Sequence, residues 1–116
     1  TGIFARQMLN NESLNITNNG EQKRDFTYVK DVVYANMLAA NHIAPLNGEV
    51  FNIGNGDNVS INEVADMFGG KKTYGEKRLE PFETLADNNK ARKILNWEPK
   101  GNLSKWILNY KKELGI

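Results

Sequence analysis

Gly20-Glu21-Gln22-Lys23-Arg24-Asp25-Phe26-Thr27-Tyr28-Val29-Lys30-Asp31 runs from a glycine turn, through an alternation of polar and large side chains, into the start of a helix. Side chains of an extended run alternate between two faces, so Arg24, Phe26 and Tyr28 fall on one side. A guanidinium beside aromatic rings suits a ligand with a phosphate at one end and a flat base at the other. An edge strand with a solvated arginine and two core aromatics has the same pattern. The run alone does not separate the two.

Working outward, Gly2 to Asn11 reads as a helix and Leu14-Asn15-Ile16-Thr17 as a short strand. Asn18-Asn19-Gly20 is a turn of residues that tolerate positive φ. The extended run is expected to cover Gln22 to Val29, and Asp31 favours the helix N-terminus that follows. That helix, from about Lys30 to His42, places an apolar stripe on Val33, Met37 and Ala40. Pro45 and Gly48 end it. Glu49 to Gly54 reads as a buried strand with Asn52 as a buried amide, and Asn55-Gly56-Asp57 as the turn after it.

Ser60-Ile61-Asn62-Glu63 has the spacing of a capping box. Behind it Ile61, Val64, Ala65 and Phe68 recur at helical intervals, the strongest helix signal in the chain. Gly69-Gly70 stops it. Lys71 to Tyr74 is a short strand, and Gly75 to Thr84 is irregular and charged, which suits a binding loop. Asp87 caps a helix through about Leu95 with Ala91, Ile94 and Leu95 inward. Asn102 caps a last helix bearing Leu103, Trp106, Tyr110 and Leu114, and Trp97 and Trp106 pack at helix ends. The whole reads as a small α/β layer of short strands and several helices, thin for a free-standing domain. It opens on Thr1-Gly2-Ile3-Phe4 without an initiator methionine and is expected to be a piece of a longer polypeptide.

Composition excludes several function classes. A chain of 116 residues holds one domain at most. Its 40% hydrophobic and 25% charged content is that of an ordinary globular protein. A net charge of +1 lacks the concentrated basic face of a nucleic-acid binder. Lys105, Lys111 and Lys112 read as the wet side of a helix. The absence of cysteine excludes disulfides and thiolate chemistry and favours a cytoplasmic home. A single histidine, His42, argues against a histidine metal site or a hydrolase triad. No apolar run reaches membrane-spanning length, so neither nucleic acid nor membrane is an expected partner.

Gly54-Asn55-Gly56 superficially suggests a dinucleotide loop, but Val59 stands where the third glycine belongs and no ribose-binding acid follows. A tight turn explains it more simply. Gly69-Gly70-Lys71-Lys72-Thr73 lacks phosphate-loop spacing. Arg78-Leu79-Glu80-Pro81 lies in the charged loop. There an arginine can clamp a diphosphate, and a carboxylate can accept from ribose hydroxyls. A surface loop held by proline is the alternative.

Four segments, "GEQKRDFTYVKDVVYAN", "GEVFNIGNGDNVSINEVADMFG", "RLEP" and "TLADNNKARKILNWEPKGNLSKWI", occur in an order that resembles the C-terminal part of extended short-chain dehydrogenase/reductases. These are the NAD-dependent nucleotide-sugar epimerases and dehydratases, of the UDP-glucose 4-epimerase type, and the resemblance covers nearly the whole chain. It implies a substrate lobe, residues 1–116, normally packed on a Rossmann domain. The glycine-rich cofactor loop and the catalytic Tyr-x-x-x-Lys pair belong to that other domain. Tyr28 and Tyr110 do not match the pair. No catalytic, cofactor-binding or metal-binding residue is therefore expected here, and the isolated chain is expected to be inactive. NAD or NADP is expected in the parent enzyme, which the resemblance implies to be a homodimer.

By the same resemblance Arg24 and Arg78 contact the nucleotide diphosphate, and Phe26 lies close to the nucleotide. Glu80 holds the ribose, although the family often places that acid three residues after the arginine. The Asn15-Ile16-Thr17 strand meets the base through its backbone. A UDP-sugar 4-epimerase is the implied parent. A 4,6-dehydratase or reductase lobe and a non-catalytic, stand-alone binding module are the alternatives.

Overall fold

Residues 60–63 do locally what their spacing predicts. In the computed structural model, which describes all 116 residues, the Ser60 hydroxyl accepts from the Glu63 amide. The Glu63 carboxylate accepts in turn from the Ser60 amide at 2.7 Å. Two orphan N–H groups of helix Ile61–Phe68 are thereby satisfied. Gly69, at φ +80°, closes that helix in the left-handed conformation.

In chain order the elements are α1 (Gly2–Leu9), β1 (Leu14–Ile16), β2 (Lys23–Arg24), α2 (Val29–Ala40) and β3 (Val59–Ser60). They continue with α3 (Ile61–Phe68), β4 (Lys72–Tyr74), α4 (Asn89–Leu95) and α5 (Leu103–Leu114). The chain groups into two units, one of residues 1–24, 59–84 and 103–116, the other of residues 25–58 and 85–102. No helix is long and apolar enough to cross a membrane.

In the first unit β1 pairs in parallel with β4, Asn15 opposite Thr73, and β2 pairs antiparallel with β3, Arg24 opposite Val59. Phe4, Leu14, Ile16, Val64, Phe68 and Ile107 are buried, and Phe4 meets Phe68 edge to face at 5.9 Å. Lys111 is not simply solvated. Its ammonium donates to the Phe68 carbonyl at 2.5 Å, where the α3 dipole leaves negative charge.

In the second unit Ala35, Ala91, Leu95 and Trp97 form a core against which Leu38, Phe51 and Ile53 pack. The Asp31 carboxylate accepts from the amides of Lys100 and Gly101, while its carbonyl accepts from the Trp97 indole.

Four further expectations are corrected in these units. Regular strand pairing in the 22–29 run stops at Arg24, and Tyr28 becomes the N-cap of α2. Residues 49–54 form no strand: Phe51 and Ile53 are half-buried, but Val50 and Asn52 are exposed. Their alternation is that of a strand, yet no neighbouring strand supplies ladder bonds. The stripe on α2 is real but faces away from the core, with Val33 54% and Met37 56% exposed while Ala35 is buried. α2 is apolar on more than one side, so its period could not choose a face. In α4, Ala91 and Leu95 turn inward and Ile94 does not, and Asn88 rather than Asp87 takes the N-cap position.

Candidate functional site

Six of the seven expected ligand-binding residues lie in the first unit, and two of them, Thr17 and Arg24, meet a third, Glu80. Its Oε1 accepts from Asn18 Nδ2 at 2.7 Å, Thr17 Oγ1 at 3.1 Å and Gln22 Nε2 at 3.1 Å. Its Oε2 pairs with the Arg24 guanidinium at 2.7 Å. Burial pushes the Glu80 carboxyl up, but the hydrogen bonds from Thr17 and Asn18 and the charge of Arg24 outweigh that and hold it below the ordinary carboxylate range.

Backbone pairing sets these side chains. The Lys23 amide donates to the Phe82 carbonyl and the Thr84 amide to the Lys23 carbonyl, so the 80–84 segment is pinned alongside β2. Asn18, at φ 54° in the turn after β1, bonds the Arg78 backbone at both ends. Its Oδ1 accepts from the Arg78 amide at 2.9 Å and its Nδ2 donates to the Arg78 carbonyl at 3.2 Å. One asparagine thus connects the loop bearing Arg78 to the carboxylate that holds Arg24.

Arg24 uses one N–H on Glu80 and another on the Lys23 carbonyl at 2.7 Å. A guanidinium has five donors, so three stay free for an anion. Arg78 is exposed. The Ile16 side chain is buried in the core and its carbonyl accepts from the Gly75 amide at 2.8 Å. Asn15 is exposed and borders Gly75, where an added Cβ would lie 2.6 Å from Asn15 Oδ1. A cleft of about 320 Å³ opens here, lined by Asn18, Asn19, Gly75 and Lys77. Phe26 is half-buried and belongs to the second unit.

Gln22, Asn18 and Asp25 were not singled out from sequence. Gln22 carried a usable signal, because it precedes Arg24 by two and shares its face of the strand. The face runs upstream from Arg24, not downstream to Phe26. Asp25 gave none: its carboxylate accepts from the amides of Asn55, Gly56 and Ala86, all remote in sequence.

Asp25 also decides what Gly54-Asn55-Gly56 can hold. The two amides that would face a pyrophosphate are occupied by its carboxylate, and a Cβ on Gly54 would lie 2.3 Å from the Ala86 methyl. These residues do not fit a dinucleotide.

Residues 2–54 match the model of the NAD dependent epimerase/dehydratase family. A putative UDP-glucose 4-epimerase of Methanocaldococcus jannaschii is 38% identical over 112 residues, 90% of this chain and 35% of that protein. The crystal structure of a Bacillus cereus UDP-glucuronic acid 4-epimerase, in complex with UDP-glucuronic acid and NAD, superposes with a TM-score of 0.86 at 31% identity. The chain belongs to the NAD-dependent epimerase/dehydratase family. The superposition covers 97% of this chain and 39% of the Bacillus enzyme, so the chain spans well under half the length of its epimerase/dehydratase relatives. A UDP-D-apiose/UDP-D-xylose synthase of rice is similar at 28% identity over 118 residues. Relatives within the epimerase/dehydratase family thus share UDP-sugars while differing in the reaction named.

Proposed function

We propose that this chain is the nucleotide-sugar-binding part of an NAD(P)-dependent sugar-nucleotide epimerase/dehydratase, a UDP-sugar 4-epimerase. The observation that carries the reading is the Arg24–Glu80 pair beside the Asn18-lined cleft. It combines a fixed cation with free donors, a carboxylate and a concavity, and proteins similar over nearly the whole chain are a putative UDP-glucose 4-epimerase and a UDP-glucuronic acid 4-epimerase.

In this reading Arg24 and Arg78 contact the diphosphate. Glu80 offers a ribose hydroxyl its Oε2, since Oε1 is filled by three donors of the chain itself. The Asn15–Thr17 strand meets the base, and Phe26 is assigned to the nucleotide by the family resemblance alone. The redox cofactor and the proton-transferring groups reside in a preceding Rossmann domain. The exposed stripe of Val29, Val33 and Met37 on α2 supports a covering domain of that kind. What this chain's residues supply is binding energy remote from the reacting carbon, holding the nucleotide while the sugar is presented elsewhere.

The test is kinetic. In the intact polypeptide carrying this chain, Arg24→Ala is expected to raise KM for a UDP-sugar by about ten- to hundredfold with kcat little changed. That corresponds to one charge-assisted contact of about 1.5–3 kcal/mol. A KM within twofold of wild type would overturn the assignment.

A further inference from the structure

We propose that Gln22 is a positioning residue for diphosphate recognition: its buried amide fixes the Glu80 carboxylate, which in turn aims the Arg24 guanidinium. The inference rests on the ligand class given above, but its structural half stands on geometry alone.

Gln22 is 3% exposed, so the amide is not a solvated surface group. Its Nε2 donates to the Thr17 carbonyl at 2.9 Å and to Glu80 Oε1 at 3.1 Å. The amide has one sensible orientation, since reversing it would set an oxygen against the carbonyl and the carboxylate together. Its other end, Oε1, is buried and meets no donor of the chain. A leucine of similar volume would fill the space without that orphan oxygen, so packing does not account for an amide here.

The backbone of Gln22 is as firmly held as its side chain. The Ile61 amide donates to the Gln22 carbonyl at 3.1 Å, which continues the β2–β3 pairing by one residue. Thr17 and Asn18 also reach Glu80 Oε1, but from the turn that follows β1, and both are partly exposed. Gln22 is the buried one of the three, on the same strand face as Arg24. With Oε1 anchored there, Oε2 is left pointing at Arg24, and the guanidinium is held at two of its five donors. An arginine ordered before the ligand arrives loses less side-chain freedom on binding, so its contacts yield more affinity.

The experiment compares Gln22→Leu, Arg24→Ala and the double variant in the intact polypeptide, with UDP and uridine as binding probes and a UDP-sugar as substrate. Gln22→Leu is expected to weaken UDP about tenfold and to leave uridine within twofold. KM for the UDP-sugar should rise by a similar factor at unchanged kcat, and the double variant should be no weaker than Arg24→Ala alone. Equal affinity for UDP in wild type and variant, or losses that multiply in the double variant, would overturn the proposal. If Gln22→Leu does not fold, Gln22→Met, whose unbranched chain fills the same space, takes its place.

Failure of the ligand reading is separable. If the wild-type protein binds no UDP and Arg24→Ala changes nothing, the nucleotide assignment falls, and the guanidinium itself still decides the positioning role. The Arg24 Nε–H order parameter should drop in the Gln22 variant toward that of exposed Arg78. An unchanged value would overturn it.

Discussion

Arg24 and Glu80 stand 56 residues apart in sequence and meet at 2.7 Å, each side chain less than a third exposed. The pair joins the strand that follows the Asn18–Gly20 turn to the charged loop before α4. It explains why an acid so close to Arg78 in sequence serves Arg24 instead. Asn18 already bonds the Arg78 backbone, and the 80–84 segment runs along β2.

We predict that Glu80→Gln destabilises the protein at neutral pH by about 0.5–1 kcal/mol, the scale of a partly exposed ion pair. The Glu80 carboxyl is lowered in the folded state. Its contribution is therefore present above the unfolded carboxyl's value and is lost as pH falls through the folded one. Denaturant unfolding at pH 7 and at about pH 3 should show the difference between wild type and variant shrinking with acidification. A gap that widens would refute the assignment.

Loss of the capping box is a purely local test. Ser60→Ala removes the acceptor for the Glu63 amide and should cost about 1 kcal/mol, or about 4 °C in Tm. The bonds from the Ser60 backbone and hydroxyl hold the Glu63 carboxyl below its ordinary range. Its titration, followed by carboxyl NMR, should move upward in the variant.

Asp25→Ala leaves three backbone N–H groups without their acceptor. We expect a loss of about 2–3 kcal/mol, with Asp25→Asn less damaging because an amide keeps one acceptor oxygen. Hydrogen exchange should accelerate first at Asn55, Gly56 and Ala86. Uniform acceleration across both units would contradict this local role.

At Gly54 the constraint is space. Gly54→Ala would bring a methyl to 2.3 Å from the Ala86 Cβ and should cost about 1–3 kcal/mol. Adding Ala86→Gly should recover most of that in thermal unfolding. Additive losses would place the strain elsewhere.

The sequence by itself determined what depends on neighbours along the chain. The α3 start is readable because Ser60 and Glu63 satisfy each other's backbone, and its inner face because Val64, Ala65 and Phe68 follow one helical period. The Asn18–Gly20 turn is readable because both termini of the turn take positive φ, 54° and 76°. Tertiary structure decided the rest. Which side of α2 is buried depends on where Ala91 and Trp97 arrive, since a helix apolar on several sides offers more than one solution. Whether residues 49–54 become a strand depends on a partner strand, not on their own alternation. And the reach of Gly20 to Asp31 is long-range throughout: Gln22 and Arg24 find Glu80, Asp25 finds the loops at 55 and 86, Asp31 finds the one at 100. Of the polar residues in that stretch, Arg24 and Asp31 were legible and Gln22 and Asp25 were not. What each one holds was not legible either, because hydrogen-bond partners so remote along the chain leave no local period to read.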